Sequence, residues 1–201
     1  MNKLNKKIKK NGGMSYIELI VVLSIFSAMT SIVLFNYGDF QAKVDIKNLA
    51  SDIALKVVEA QKMSLSGQLP PQPQYGLIVS PLTWKPSYGV SFDLTSPTQF
   101  VYFVDLNNLS GYEAGSESLD TINITKGNSI SQIEKCTGVD CPSGVSIGPL
   151  SVTFKRPDSR AVFHSNGTEV SGFDYIRITI ASPKEVISFI KIYPSGRIQV
   201  N

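Results

Sequence analysis

One carboxylate interrupts the most apolar segment of this sequence. Residues 14–35 form an apolar run of 22 residues in which Glu18 is the only formally charged side chain. A carboxylate at the centre of a membrane helix costs about 2.5–3.5 kcal/mol on insertion scales, so Glu18 calls for a positive partner. Cleavage between Gly13 and Met14 would provide one, because it would create an α-amine four residues before Glu18. We therefore interpret Gly13 and Met14 as a processing site and Glu18 as a pairing residue.

The residues before this segment are strongly basic. Residues 1–13 contain five lysines and no acidic residue. A 22-residue helix spans about 33 Å, enough to cross the apolar core of a bilayer. Lysines on one flank orient such a helix with its N-terminus in the cytoplasm. A secretory signal has a shorter apolar run of about 7–15 residues, and a plain membrane anchor leaves Glu18 uncompensated.

These features together resemble the type IV pilin and pseudopilin family. The shared pattern is a lysine-rich leader that ends in Gly13, an apolar helix that follows at once, and Glu18 at the fifth mature position. Met14 stands where the family usually has phenylalanine. The resemblance implies that a membrane-bound prepilin peptidase cleaves after Gly13 and methylates the amine of Met14. It also implies that Glu18 pairs with the N-terminus of an adjacent subunit during filament assembly.

The helix is predicted to continue beyond the membrane. Apolar residues recur three or four positions apart, which is the period of one helix face; they are Ile46, Leu49, Ile53, Val57 and Ala60. Gly67 suits a helix C-cap, and the prolines of residues 68–74 cannot continue a helix. We therefore predict a leader at 1–13, a transmembrane helix at 14–35, a soluble helical stem at 36–67, a proline-rich linker at 68–74 and a head at 75–201.

The head is predicted to consist of short strands. They fall at 75–79, 88–94, 99–106, 119–125, 145–154, 160–164, 173–180, 185–193 and 197–200. The hairpin at 173–193 is the clearest, because Ile176, Ile178 and Ile180 alternate on one side of its first strand. We expect an α+β fold in which the long N-terminal helix packs on an antiparallel β-sheet or β-sandwich head.

This combination is similar to the H-type minor pseudopilins of type II secretion and to related type IV pilus minor pilins. The resemblance implies a structural, non-catalytic subunit that sits at the filament tip. It further implies a single-pass protein of the plasma or inner membrane with an extracytoplasmic head. Its expected partners are the prepilin peptidase, other pilins or pseudopilins, and an inner-membrane assembly platform.

A cluster of oxygen-bearing residues follows the predicted strand at 99–106. Asp105, Asn107, Glu113 and Glu117 supply the hard oxygen ligands that Ca²⁺ prefers. The spacing does not fit an EF-hand, because Leu109 and Gly111 occupy ligand positions. A solvated acidic turn is the alternative. No other cofactor is expected.

Two cysteines enclose four residues in the same head. Outside the cytoplasm Cys136 and Cys141 are expected to form a disulfide, with two free buried thiols as the alternative. A structural zinc site normally needs four ligands, and the chain contains one histidine.

One pattern suggests a hydrolase, but its setting argues against that activity. Residues 144–148 match G-x-S-x-G around Ser146, and Asp158 and His164 follow in hydrolase order. A nucleophile elbow needs a strand, a sharp turn and then a helix. Pro149 and a predicted strand follow instead, so we expect no enzyme activity.

Nucleic acid is a possible ligand through basic residues of the head, which are Lys155, Arg156, Arg160 and Arg197. Removing the five leader lysines from 19 Lys+Arg leaves 14 against 16 Asp+Glu, a net charge of −2. A basic footprint is the usual sign of a nucleic-acid-binding protein. We therefore keep DNA uptake or adhesion as the alternative function and expect nucleic acid binding to be absent.

Overall fold

The computed structural model describes residues 13–72, 74–78, 81–142 and 144–201. The predicted leader, apart from Gly13, lies outside the described residues. The chain divides into two compact units, Met1–Gln41 and Ala42–Asn201. Every fully buried apolar side chain of the described chain belongs to the second unit, beginning at Ile46.

One helix, α1, runs from Tyr16 to Ser66. Its second half buries one stripe of side chains, namely Ile46, Ala50, Ile53, Val57 and Ala60. The spacing of four, three, four and three residues keeps this stripe on one side of the helix. Ala50 takes the fully buried position that the sequence assigned to Leu49, which is partly buried beside it.

The helix ends at Gly67 in a hydrogen-bonded cap. The Gly67 N–H donates to the Ser64 carbonyl at 3.2 Å, and the Gln68 N–H donates to the Met63 carbonyl at 3.3 Å. This pair of bonds is the Schellman pattern, which needs a left-handed residue after the helix. Gly67 has a φ of +70° and meets that need without steric cost. The predicted C-cap is thereby confirmed.

The rest of the second unit consists of two antiparallel sheets. In the described residues a 3₁₀ helix at Gln74–Leu77 precedes eleven strands: β1 (Ser87–Phe92), β2 (Gln99–Val104), β3 (Ser118–Asn123), β4 (Ser129–Cys136), β5 (Val145–Ser146), β6 (Leu150–Lys155), β7 (Ala161–Ser165), β8 (Thr168–Glu169), β9 (Tyr175–Ala181), β10 (Ile187–Ile192) and β11 (Ile198–Val200). The first sheet has the order β3-β2-β1-β6-β7-β8, and the second has the order β11-β10-β9-β4-β5. The predicted α+β class is confirmed.

A single apolar core joins the helix stripe to both sheets. In the first sheet the core residues alternate along the strands, as in Tyr88, Val90 and Phe92 of β1. In the second sheet Ile176, Ile178 and Ile180 of β9 face the same core. The β9–β10 hairpin pairs Ile180 with Ser188 and Ile176 with Ile192. The predicted hairpin and its buried isoleucines are confirmed.

Polar contacts fix the second half of α1 to the strands. The buried Ser64 hydroxyl donates to the Phe154 carbonyl of β6 at 2.8 Å and accepts the Tyr88 N–H of β1 at 2.9 Å. The Gln61 side-chain amide donates to the Ser159 carbonyl at 2.9 Å. These bonds join the helix to chain segments that lie far away in the sequence.

One predicted strand is wrong and two others were missed. Residues 75–79 were predicted to be extended, whereas Gln74–Leu77 form a 3₁₀ helix. The Tyr75 N–H at its start bonds to the Pro71 carbonyl at 3.2 Å. The strands β4 and β8 had no counterpart in the prediction. The single strand predicted at 145–154 is two strands, because β5 belongs to the second sheet and β6 to the first.

Candidate functional site

The start of α1 contains the predicted processing and pairing residues. Among the described residues, a side chain added at Gly13 would meet nothing within 4 Å, and Met14 is 64% exposed. The Leu19 N–H donates to the Ser15 carbonyl at 3.1 Å, which is the first bond of the helix. Ser15 therefore occupies the N-cap position, and Gly13 and Met14 lie just before the helix.

Glu18 lies in the first turn of α1. Ser15 and Glu18 have the spacing of a capping box, in which the side chain of the third helical residue reaches back to the N-cap N–H. The carboxylate is also favoured by the positive end of the helix dipole, typically by about 0.3–1 kcal/mol. The S-x-x-E spacing is a capping-box signature that can be recognised in the sequence.

The apolar segment after Glu18 exposes its side chains. None of the most apolar 18-residue window of the helix is buried, and Phe35 is 81% exposed. The hydroxyls of Ser24 and Thr30 each donate to a carbonyl of the same helix, Val21 and Phe26, at 2.8 Å. In an apolar solvent such as lipid, polar groups must find their hydrogen-bond partners within the protein. This helix is long and apolar enough to cross a membrane.

Two predicted calcium ligands are buried in the segment 105–117. Asp105 and Glu117 are almost completely inaccessible to solvent. Glu117 accepts the Leu106 N–H at 3.0 Å and the Glu113 N–H at 2.8 Å, and Asp105 accepts the Ser110 N–H at 2.9 Å. Both carboxyl groups therefore stabilise the segment by accepting hydrogen bonds from its backbone.

Burial changes the proton affinity of these two groups. Burial raises the pKa of Glu117 from 4.5 to about 7, against the opposing effect of its two backbone N–H donors. Burial also raises the pKa of Asp105, whose Oδ1 has no hydrogen-bond partner among the described residues. The folded segment thus favours the protonated form of both carboxyl groups.

The other two predicted calcium ligands lie nearer the surface. The Asn107 side chain accepts the Leu109 N–H at 2.9 Å, and Glu113 is exposed. Within the described part of the chain no group of three or more His, Cys, Asp or Glu side chains is arranged to hold a metal ion. Calcium binding stays a prediction.

In the structure Cys136 and Cys141 are joined by a disulfide with a Cα–Cα distance of 4.8 Å. The bridge is buried against Tyr175, with Tyr193 packed beside it. The Tyr175 hydroxyl donates to the Val139 carbonyl at 3.1 Å, so the enclosed loop is also held by hydrogen bonding.

The predicted DNA-contacting residues each have a local partner. Lys155 donates to the Asn108 carbonyl at 3.3 Å, and Arg160 pairs with Asp158. The Arg197 guanidinium lies 3.8 Å from the centre of the Tyr193 ring. The Arg156 guanidinium lies next to Gly67 at the end of α1. Nucleic acid binding through these residues is untested by the structure.

The residues of the hydrolase-like pattern lie on separate elements. Ser146 belongs to the edge strand β5 of the second sheet and is exposed, and His164 belongs to β7 of the first sheet. Asp158 bonds to the Arg160 backbone and side chain. The next element after β5 is the strand β6, so the strand–turn–helix of a nucleophile elbow is not formed there.

Comparison of the chain with protein-family models, curated proteins and solved structures found no match. The architecture of one long apolar N-terminal helix and antiparallel sheets is consistent with a pilin-like protein. Membership of the pilin family stays a prediction that rests on the residues around Gly13 and Glu18.

Proposed function

We propose that this chain is a minor pilin or pseudopilin, a structural subunit of a type IV pilus or a type II secretion pseudopilus. One observation carries the proposal. An exposed apolar helix starts at Tyr16, three residues after Gly13, and holds one carboxylate, Glu18, in its first turn. Neither a secretory signal nor a simple anchor requires this combination. The same helix continues into a folded unit that presents two antiparallel sheets.

The first step of the proposed function is processing at the membrane. A prepilin peptidase cuts after Gly13 and methylates the new amine of Met14. The exposure of Met14, and the open space that the described residues leave around Gly13, support access by the enzyme. The basic residues before the cut hold that end of the helix on the cytoplasmic side until cleavage.

The second step is lateral packing of the apolar helices in a filament. Apolar burial alone does not drive association between helices in lipid, so close packing and polar pairs must contribute. Small side chains recur four positions apart at Ser24 and Ala28 and again at Ser27 and Ser31. This spacing allows helix backbones to approach closely. The Glu18 carboxylate then pairs with the Met14 amine of a neighbouring subunit and sets the axial register.

Substitution of Glu18 separates the proposed pairing role from a role in helix capping. Glu18→Gln keeps a side chain that fits a capping box but removes the charge, whereas Glu18→Ala removes both. We expect both variants to be cleaved and to be lost from filaments sheared off the native host. The matched control is Glu59→Gln, an exposed helix glutamate that pairs with Lys56 at 3.0 Å outside the apolar segment.

Incorporation of Glu18→Gln at the wild-type level would contradict the charge-pair mechanism. Loss of Glu18→Ala alone would assign the residue to helix capping. The proposed place at the filament tip is tested by gold-labelled antibodies against the head, which should mark filament ends and not the shaft.

A further inference from the structure

The outer face of the first sheet carries both polar and apolar side chains. Along β1, β2, β6 and β7 the core residues alternate with Ser91, Val101, Ser151 and His164. Alternate side chains of a strand point to opposite faces, so these four residues lie on the side away from the apolar core. They come from strands that are adjacent in the sheet but up to 73 residues apart in the sequence.

The segment 105–117 crosses this outer face and covers part of it. The Thr153 hydroxyl donates to the Ser110 carbonyl at 2.6 Å, and the Tyr112 N–H donates to the Ser151 hydroxyl at 3.1 Å. The Tyr112 ring packs on Phe103 with a centroid distance of 5.2 Å. These contacts hold the crossing segment against the outer face of the sheet.

A cavity of about 580 Å³ lies next to the crossing segment 105–117. Its volume falls in the range of small-molecule sites, about 300–1,000 Å³. The sheet contributes Ser91, Gln99 and His164, and the crossing segment contributes Tyr112 and Glu113. All of these residues belong to the second compact unit.

The cavity presents hydrogen-bonding groups and no positive side chain among the described residues that line it. Asp93 and Glu113 carry its carboxyl groups, and the serine hydroxyls of β1 and β6 are 3.3 Å apart. His164 also lines the cavity, although its Nδ1 atom is itself inaccessible to solvent.

These observations identify a chemical class of ligand. Two carboxyl groups without a cationic counterpart repel phosphates and other anions. Hydroxyl, amide and carboxyl groups beside the aromatic ring of Tyr112 suit a ligand that carries many hydroxyls and an apolar ring face. We propose that this cavity is a binding site for a neutral saccharide. The proposal adds a ligand to the head and does not depend on filament assembly.

The test uses the full chain in a zwitterionic detergent that lacks a sugar head group. Defined neutral mono- and disaccharides are screened on an array beside sialylated and phosphorylated ones, and hits are measured by saturation-transfer NMR. We expect a neutral saccharide to bind and the anionic ones to fail. Two variants change the cavity. Thr121→Trp fills it from the exposed edge strand β3, and Gln99→Ala removes a lining amide.

Each variant should weaken saccharide binding by at least about tenfold, which corresponds to about 1.4 kcal/mol. The matched control, Thr137→Trp, alters an exposed threonine outside the cavity lining and should bind like the wild type. Absence of binding by every neutral saccharide overturns the proposal, and so does binding that both cavity variants leave unchanged. A negative result leaves the assembly proposal intact, because processing and filament entry are measured separately.

Discussion

Ser64 is expected to be a major link between α1 and the first sheet, and replacing it with alanine tests that role. Its hydroxyl is fully buried, accepts the Tyr88 N–H at 2.9 Å and donates to the Phe154 carbonyl at 2.8 Å. Ser64→Ala deprives both backbone groups of this partner. The Phe154 carbonyl keeps a second donor in the Ser87 hydroxyl at 3.2 Å, so the Tyr88 N–H bears most of the loss.

The size of the effect follows from these contacts. A buried donor that loses its partner costs about 1–3 kcal/mol. Alanine has a higher helix propensity than serine, which offsets about half a kcal/mol of that loss in the free energy of unfolding. We therefore expect Ser64→Ala to lower the free energy of unfolding by about 1–2 kcal/mol.

The assay is urea unfolding of residues 42–201 followed by circular dichroism. The control is Ser51→Ala, an exposed serine of the same helix whose hydroxyl bonds only to the Lys47 carbonyl at 3.0 Å. That variant should match or slightly exceed the wild type, because only helix propensity changes. A Ser64→Ala protein as stable as Ser51→Ala would refute the view that this hydroxyl joins the helix to the sheet.

Three further predictions concern other parts of the second unit. Burial raises the pKa of Glu117 from 4.5 to about 7, so its contribution to stability is complete below pH 4.5 and is lost as the pH rises through 7. The free energy of unfolding should fall by about 3 kcal/mol over that interval, and pH titration of Glu117→Gln should show a flatter profile; an unchanged profile would assign the pH dependence to another group. Replacing Cys136 and Cys141 with serine opens a six-residue loop and should cost about 2 kcal/mol in chemical unfolding; an unchanged midpoint would show that the bridge is dispensable. Gly67→Ala places a side chain at a φ of +70° and should cost about 1–2 kcal/mol, whereas an equal loss in the control Gly76→Ala would assign the cost to something other than the cap.

The helix was predictable because its signals are local. A run of apolar residues, a stripe with helical period and a terminal glycine all lie within one continuous segment. The β9–β10 hairpin was predictable for the same reason, since alternation and a short connection define it.

The strand β4 was missed because its pairing breaks the alternation that marks a strand. Its register against β9 shifts between Ile130 and Gln132, so Ile130 and Ile133 both face the core although they are three residues apart. A pattern search with a period of two cannot follow such a bulge. The strand predicted at 145–154 was divided for another reason, because the chain leaves one sheet after Ser146 and enters the other at Leu150.

The two candidate sites also differ in whether their residues are close in the sequence. Gly13, Met14 and Glu18 are neighbours in the sequence, so their spacing could be interpreted directly. The proposed saccharide cavity brings together side chains from strands that only the sheet order places side by side, such as Ser91 and His164. No local pattern marks them. The sequence did assign His164 to a strand, but it could not show which residues lie beside it.

The central claim is that this chain is processed as a pilin, and the most direct measurement is the mass and N-terminal sequence of the protein after co-expression with a prepilin peptidase. The account predicts a new N-terminus at Met14 that carries one methyl group, and an uncut chain for Gly13→Leu. Glu18→Ala should be cut like the wild type, because Glu18 acts in assembly. An intact N-terminus, or a cut after the apolar segment at 14–35, would contradict the claim.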